Sequence, residues 1–307
     1  REARRLVEVN QRFADKCITV TPDPTVPHSQ PTSAVSRTYV ERRLGLYLTA
    51  GQALYDALES AGHVVTQSDR LGDTAANRDS NHTARHNKFN RACRDVIAAK
   101  ARSEVILGDK GDYSSAAVSD AKARYKWAND GHVPDIIHKN AAANGNHVLY
   151  ESKCTSGLCK SKKNLGTGTN DGGGSPGNSA GDRVAFGCTE DELCAGGSGT
   201  MGVGIFGRAE RGSPSDGPFR HEGEGANTGW VAGRKGCYHD GNNVKKNEVY
   251  ALISNPHGGV TRGVERLVLS AHKDKAYDTT RYGEFSTHSF YSHHATQISL
   301  AIVTGDA

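Results

Sequence analysis

Two short apolar runs, joined by a linker rich in Asn, Gly and Ala, lie at the centre of the sequence GHVPDIIHKNAAANGNHVLYESKC. The runs 133–137 and 148–150 have the length and the bordering turn residues of two neighbouring β-strands. Asp135 lies in the first run, and Glu151 and Lys153 close the second. Side chains at i and i+2 of a strand share one face, so Glu151 and Lys153 are predicted to project together. Two carboxylates and an ammonium at adjoining strand ends indicate a place for a divalent cation beside an activated water.

The regions around this stretch alternate between helical and extended patterns. Two further runs, 104–107 and 249–253, have the β-branched and apolar content of strands. Apolar residues recur at helical spacing in six segments: 39–61, 83–101, 116–128, 228–244, 258–268 and 287–303. This order of helices and strands predicts an α/β fold, with a mixed central β-sheet flanked by helices.

Glycine and proline mark the boundaries of the predicted domain. Residues 1–38 begin with a charged segment that is compatible with a helix. The four prolines at 22–31 then exclude a regular element, which predicts an N-terminal arm or linker on the surface over 1–38. The chain has 36 glycines, and many fall in a Gly/Ser/Asn-rich region at about 155–227. We therefore expect a single domain over 39–307 that carries this region as a long insertion.

The pattern Pro134-Asp135, followed after a gap by Glu151-Ser152-Lys153, resembles the PD-(D/E)xK nuclease superfamily, which has the restriction-endonuclease-like fold. The resemblance covers residues 82–154 well and 228–254 more loosely. Asp120-Ala121-Lys122 fits the second half of the motif too, but it lies in a segment with helical spacing, where residues i and i+2 do not face each other. The stretches GHVPDII and FYSHHATQISLAIV are similar to uncharacterised algal or viral members of this superfamily.

The resemblance implies a metal-dependent nuclease that hydrolyses phosphodiester bonds. Asp135, Glu151 and the backbone carbonyl of Ser152 would bind Mg²⁺ or Mn²⁺. Lys153 would orient the attacking water and stabilise charge at the phosphorus. Many members also carry an acidic residue on the first core helix, where this sequence offers only Asp95. Three lysines that follow the motif would contact the phosphates of DNA or RNA: Lys160, Lys162 and Lys163.

Two alternatives stay open. Glu151 and Lys153 would form an ion pair on an edge strand, with Asp135 only capping a turn, if the motif had no chemical role. The chain would then be a catalytically inactive nuclease-fold subunit that acts as a binding or assembly protein. A structural zinc site is also compatible with four cysteines at irregular spacing: Cys154, Cys159, Cys188 and Cys194.

Charge and cysteine content limit the partners and the compartment. A net charge of +4 is compatible with a nucleic-acid partner without requiring one. No run approaches the ~18 apolar residues of a membrane span. Seven scattered cysteines favour a reduced intracellular location, nuclear or cytoplasmic. Since the sequence starts at Arg1 and its one methionine is Met201, we expect a piece of a longer product, and a larger assembly or a homo-oligomer is compatible with this.

Overall fold

The computed structural model describes residues 8–16, 32–76, 79–101, 103–108, 134–142, 144–154, 230–231, 234–235, 248–275 and 290–305. The chain divides into two compact units, one formed by 1–92, 154–187 and 254–307 and the other by 93–153 and 188–253. These units do not follow the expected boundary at residue 38, and a single domain over 39–307 stays a prediction. The predicted helix at 116–128 and the insertion at about 155–227 lie outside the described residues.

Helices account for most of the regular structure in the described residues. They are α1 (Ser33–Leu44), α2 (Gln52–Ser60), α3 (Gln67–Arg70), α4 (Asp73–Ala76), α5 (Asp79–Lys100), α6 (Arg262–Lys275) and α7 (Phe290–Thr304). The predicted helices at 83–101 and 287–303 are confirmed as α5 and α7, and the one at 258–268 begins only at Arg262. Among these helices, none is long and apolar enough to cross a membrane.

The prediction of one continuous helix over 39–61 is wrong, because α1 ends at Leu44. Gly45 adopts φ +68°, its N–H donates to the Arg42 carbonyl at 3.2 Å, and the N–H of Leu46 donates to the Glu41 carbonyl at 2.8 Å. A glycine in this left-handed conformation ends a helix and satisfies its last carbonyls. The start of α1 also lies before the predicted helix, since the Thr32 hydroxyl accepts from the N–H of Val35 at 3.3 Å and caps it.

A four-stranded sheet contains the two central runs. Its strands are β1 (Val105–Leu107), β2 (Ile136–His138), β3 (Val148–Cys154) and β6 (Glu248–Ser254), in the spatial order β1-β2-β3-β6. β1 pairs antiparallel with β2, and β2 pairs antiparallel with β3. The strands predicted at 104–107, at the two central runs and at 249–253 are therefore confirmed.

The strands β3 and β6 run in the same direction, which makes the sheet mixed. The ring of Tyr150 stacks on that of Tyr250 with centroids 5.8 Å apart, and four residues further along both strands the Ser254 hydroxyl donates to Cys154 Sγ at 3.0 Å. β3 is thus an internal strand. The alternative in which Glu151 and Lys153 form an ion pair on an edge strand is wrong about the position of this strand. Six of its seven residues are buried, as expected for a strand covered on both faces.

The helix predicted at 228–244 is wrong where the structure describes this segment. Strand β4 (Trp230–Val231) pairs antiparallel with β5 (Arg234–Lys235). Trp and Val favour extended structure. Gly229, Gly233 and Gly236 each disfavour a helix by ~1 kcal/mol relative to alanine, so the weak apolar spacing is not enough to form one.

In the first unit, residues 8–16 are part of the core and not a surface arm. Val9, Phe13 and Ala14 are buried. The hydroxyl of Tyr39 on α1 donates to the carbonyl of Ala14. The arm prediction rested on the four prolines at 22–31, which do not constrain residues 8–16. The few apolar residues of 8–16 have no clear helical or strand period.

Candidate functional site

The carboxylate of Asp135 lies against the backbone of β3. Its Oδ2 accepts two hydrogen bonds from Ser152, from the backbone N–H at 2.7 Å and from the hydroxyl at 3.0 Å. The N–H of Gly108 donates to the backbone carbonyl of Asp135 at 2.8 Å, so the main chain of this residue is held from the β1 side. Since the Ser152 N–H belongs to the peptide bond that joins it to Glu151, the structure brings Asp135 to the second half of the predicted motif.

Glu151 and Lys153 project from the same face of β3, as the strand period predicts. Lys153 Nζ lies 3.7 Å from Glu151 Oε1. The Glu151 side chain is 8% exposed, and that of Lys153 is 34% exposed. A nearly buried carboxylate is costly unless a cation or hydrogen-bond donor compensates its charge, and Lys153 supplies part of that compensation.

The strand register explains why these residues meet. Ile136 pairs with Tyr150, so the same register continued by one residue places Asp135 opposite Glu151. Continued by one more, it places Pro134 opposite Ser152. Proline has no N–H, so it cannot donate to the Ser152 carbonyl as another residue would in an antiparallel ladder. The regular ladder therefore ends at this position, and the Ser152 N–H goes to the Asp135 side chain instead.

The residues around this position include the donor types that a hard divalent cation prefers. Asp135 and Glu151 supply two carboxylates, and Ser152 presents its carbonyl on the same side of β3 as its N–H, towards β2. Mg²⁺ in proteins takes one or two carboxylates and completes its octahedron with waters and substrate oxygens. In the described part of the chain, no group of three or more His, Cys, Asp or Glu residues is placed to hold a metal ion. Any cation here would thus keep several non-protein ligands.

Asp95, the acidic residue that the sequence offered within the predicted helix at 83–101, has a different partner. It lies on α5, and its Oδ1 is 2.7 Å from Nε of the adjacent Arg94. Its side chain is 59% exposed. The structure therefore gives Asp95 the contacts of a solvated surface ion pair.

Several predicted residues lie outside the described parts of the chain. These are the phosphate-contacting candidates Lys160, Lys162 and Lys163 and three of the four zinc candidates, Cys159, Cys188 and Cys194. The fourth, Cys154, is a buried cysteine at the end of β3, and it forms no disulfide in the described residues. Its sulfur accepts a hydrogen bond from the Ser254 hydroxyl. The zinc site and the nucleic-acid contacts of the lysines stay predictions.

The first unit contains a polar loop that the sequence analysis did not identify. The Asn255 side chain accepts from the N–H groups of His257 and Gly259, both at 3.0 Å, and donates to the backbone carbonyl of Glu8 at 3.1 Å. His257 Nε2 lies 3.5 Å from Glu8 Oε2, and both residues are buried. The sequence predicted that Gly258-Gly259 starts a helix, and no local signal pointed to a partner about 250 positions earlier.

The first unit also has a cavity of about 300 Å³. It is lined by Asn10, Gln11, Arg12, Phe13, Asp15, Lys16, Glu265 and Tyr291. Arg12 Nε pairs with Glu265 Oε2 at 2.5 Å, and the Tyr291 hydroxyl donates to Glu265 Oε1 at 3.4 Å. The two basic and two acidic lining side chains balance in formal charge, so the cavity shows no preference for a ligand of one sign.

A scan of protein-family models finds no match to this chain, and searches of curated proteins and of solved structures find none either. The chemistry of the site therefore rests on its own residues and geometry.

Proposed function

We propose that this chain is a metal-dependent nuclease whose site is formed by Asp135, Glu151, Ser152 and Lys153. One observation carries the proposal: the Asp135 carboxylate is hydrogen-bonded to the peptide that follows Glu151, on the strand where Lys153 contacts Glu151. Two carboxylates and an ammonium from adjacent strands are groups that can support phosphodiester hydrolysis with a divalent cation.

The finer fold assignment belongs to the same proposal. The mixed sheet, with an antiparallel β2–β3 pair carrying the motif and β6 beside β3, supports a restriction-endonuclease-like core. The long helix α5 precedes β1 in the chain, in the order that the resemblance implies. The two halves of the motif also fall on neighbouring strands, as that fold requires.

Each residue has a distinct role in the proposed reaction. Asp135 and Glu151 would hold the cation, with the Ser152 carbonyl as a third protein ligand. A bound Mg²⁺ or Mn²⁺ would supply Lewis-acid chemistry to the phosphate. The Lys153 ammonium donates hydrogen bonds that orient the attacking water and stabilises negative charge on the phosphoryl oxygens. Because Lys153 is half-buried, its charge is less screened than that of a surface lysine.

The decisive measurement is cleavage of single- and double-stranded DNA and RNA with Mg²⁺ or Mn²⁺. We compare the wild type with Asp135→Asn, Glu151→Gln and Lys153→Met, and expect each substitution to lower the cleavage rate by at least ~100-fold. Cleavage that persists in all three variants would show that the site is elsewhere. A wild type that cleaves none of these substrates would instead favour the binding or assembly role.

A second ion pair in the same unit provides matched controls. Lys139 Nζ lies 2.6 Å from Glu104 Oε2, where β1 pairs with β2. Glu104→Gln and Lys139→Met make the same chemical changes as Glu151→Gln and Lys153→Met, but away from the motif. Both control variants are expected to cleave at the wild-type rate.

A further inference from the structure

The side chain of Ser152 makes a contact that the motif itself does not require. Ser152 is the variable middle residue of Glu151-Ser152-Lys153, and the resemblance gives a role only to its carbonyl. In the structure its hydroxyl donates to Asp135 Oδ2 at 3.0 Å, beside its own N–H at 2.7 Å. Ser152 is fully buried, so water does not compete for this hydroxyl.

The two hydrogen bonds together restrict the orientation of the Asp135 carboxylate. A single hydrogen bond from the backbone N–H would hold Oδ2 near β3, but the carboxylate could still rotate about that hydrogen bond. A second donor on the same oxygen restricts that rotation, and hydrogen bonds to an ionised carboxylate are stronger than those between neutral groups.

We propose that Ser152 is a positioning residue whose hydroxyl holds the Asp135 carboxylate in the orientation that binds the cation. This inference rests on the proposed function, since it assigns Asp135 as a ligand. Groups that hydrogen-bond to a metal ligand orient it, and their removal commonly weakens metal affinity 10–100-fold. The Ser152 hydroxyl thus acts through Asp135, whereas the Ser152 carbonyl would bind the cation directly.

A purely structural role for the hydroxyl would have a different outcome. At the end of the β2–β3 ladder, the Ser152 N–H already donates to Asp135. Every residue except proline could make this backbone hydrogen bond at position 152. If the hydroxyl only stabilised this end of the ladder, its loss would lower the thermal unfolding temperature and leave cation affinity unchanged. If it positions Asp135, its loss weakens cation affinity in a chain that remains folded.

The test is a Mn²⁺ titration of the full chain without nucleic acid, followed by the electron paramagnetic resonance signal of free Mn²⁺. Ser152→Ala is expected to raise the Kd for Mn²⁺ at least ~10-fold, and the Mn²⁺ concentration for half-maximal cleavage should rise in parallel. Ser152→Thr keeps a hydroxyl and should restore the affinity to within about threefold of the wild type. Ser254→Ala is the matched control, because it removes another fully buried hydroxyl, one that donates to Cys154.

The outcomes separate this inference from the proposed function. A wild type that binds Mn²⁺ and cleaves, with a Ser152→Ala variant of equal affinity, overturns the positioning role and leaves the nuclease standing. A wild type that neither binds Mn²⁺ nor cleaves overturns both. If Ser152→Ala does not fold, Ser152→Cys replaces it, since it fills the space but is a weak donor and should show the same loss of affinity.

Discussion

The ammonium of Lys153 lies 3.7 Å from Oε1 of Glu151, the carboxylate that we assign as a cation ligand. Two opposite roles of Lys153 follow from this distance. Its charge stabilises Glu151 in the absence of a cation, and the same charge repels a cation that binds there.

Lys153→Met is therefore expected to separate binding from turnover. The variant should bind Mn²⁺ at least as tightly as the wild type, because the repulsion is removed, whereas cleavage should fall by ~100-fold or more. Mn²⁺ titration and single-turnover cleavage of one substrate measure the two quantities. A variant that loses cation affinity along with cleavage would show that Lys153 supports cation binding, contrary to the expected repulsion.

Gly258 is expected to tolerate alanine poorly. It adopts φ +79°, and a Cβ there would lie 2.7 Å from Ser299 Oγ and 3.3 Å from Val303 Cγ2. Gly62→Ala is the matched comparison, since Gly62 adopts φ +83° with nothing within 4 Å of an added Cβ. Both variants carry a backbone cost of ~1 kcal/mol, and Gly258→Ala should lose about 1–3 kcal/mol more from steric crowding against α7. Urea unfolding measures the difference, and equal costs would mean that α7 can move away.

The buried ring of His294 predicts a loss of stability in mild acid. Burial, with a smaller contribution from the charge of His293, lowers the pKa of His294 from 6.5 to about 3. Between these values the unfolded chain takes up a proton that the folded chain does not, so the free energy of unfolding falls as pH decreases below 6.5. From pH 6.5 to 4 the loss attributable to this group is up to ~3 kcal/mol.

His294→Gln tests this contribution, because glutamine does not titrate. Its free energy of unfolding should fall less steeply between pH 6.5 and 4 than that of the wild type. His63→Gln, which replaces an exposed ring, should keep the wild-type slope. If all three proteins have the same slope, His294 takes up its proton in the folded state as readily as in the unfolded chain.

Tyr291 should remain protonated well above the usual range of tyrosine. Burial, followed by the charge of Glu265 and its hydrogen bond, raises the pKa of Tyr291 to about 12. Between pH 10 and 12 the unfolded chain loses this proton first, so the contribution of Tyr291 to stability is lost as pH rises through this window. In a titration of phenolate absorbance, Tyr291→Phe should remove a component near pH 12, and Glu265→Gln should shift that component to lower pH. A component that survives Tyr291→Phe belongs to another tyrosine.

Local patterns in the sequence were sufficient for most of the sheet and for the face on which Glu151 and Lys153 project. The period of two along a strand and the apolar content of each run are properties of consecutive residues. The same reasoning failed at Gly45, where one left-handed glycine divides a predicted helix, and at 230–235, where weak helical spacing competes with extended propensity.

The sequence by itself determined that Pro134 cannot donate to a neighbouring strand and that Glu151 and Lys153 share a face, because both follow from covalent structure and strand geometry. Only the tertiary structure decided that Ser152 holds Asp135 and that Arg12 pairs with Glu265, 253 positions away. Such contacts depend on how separate segments pack. Hydrogen bonds and ion pairs form between whichever groups that packing brings together, and no local pattern records their partners.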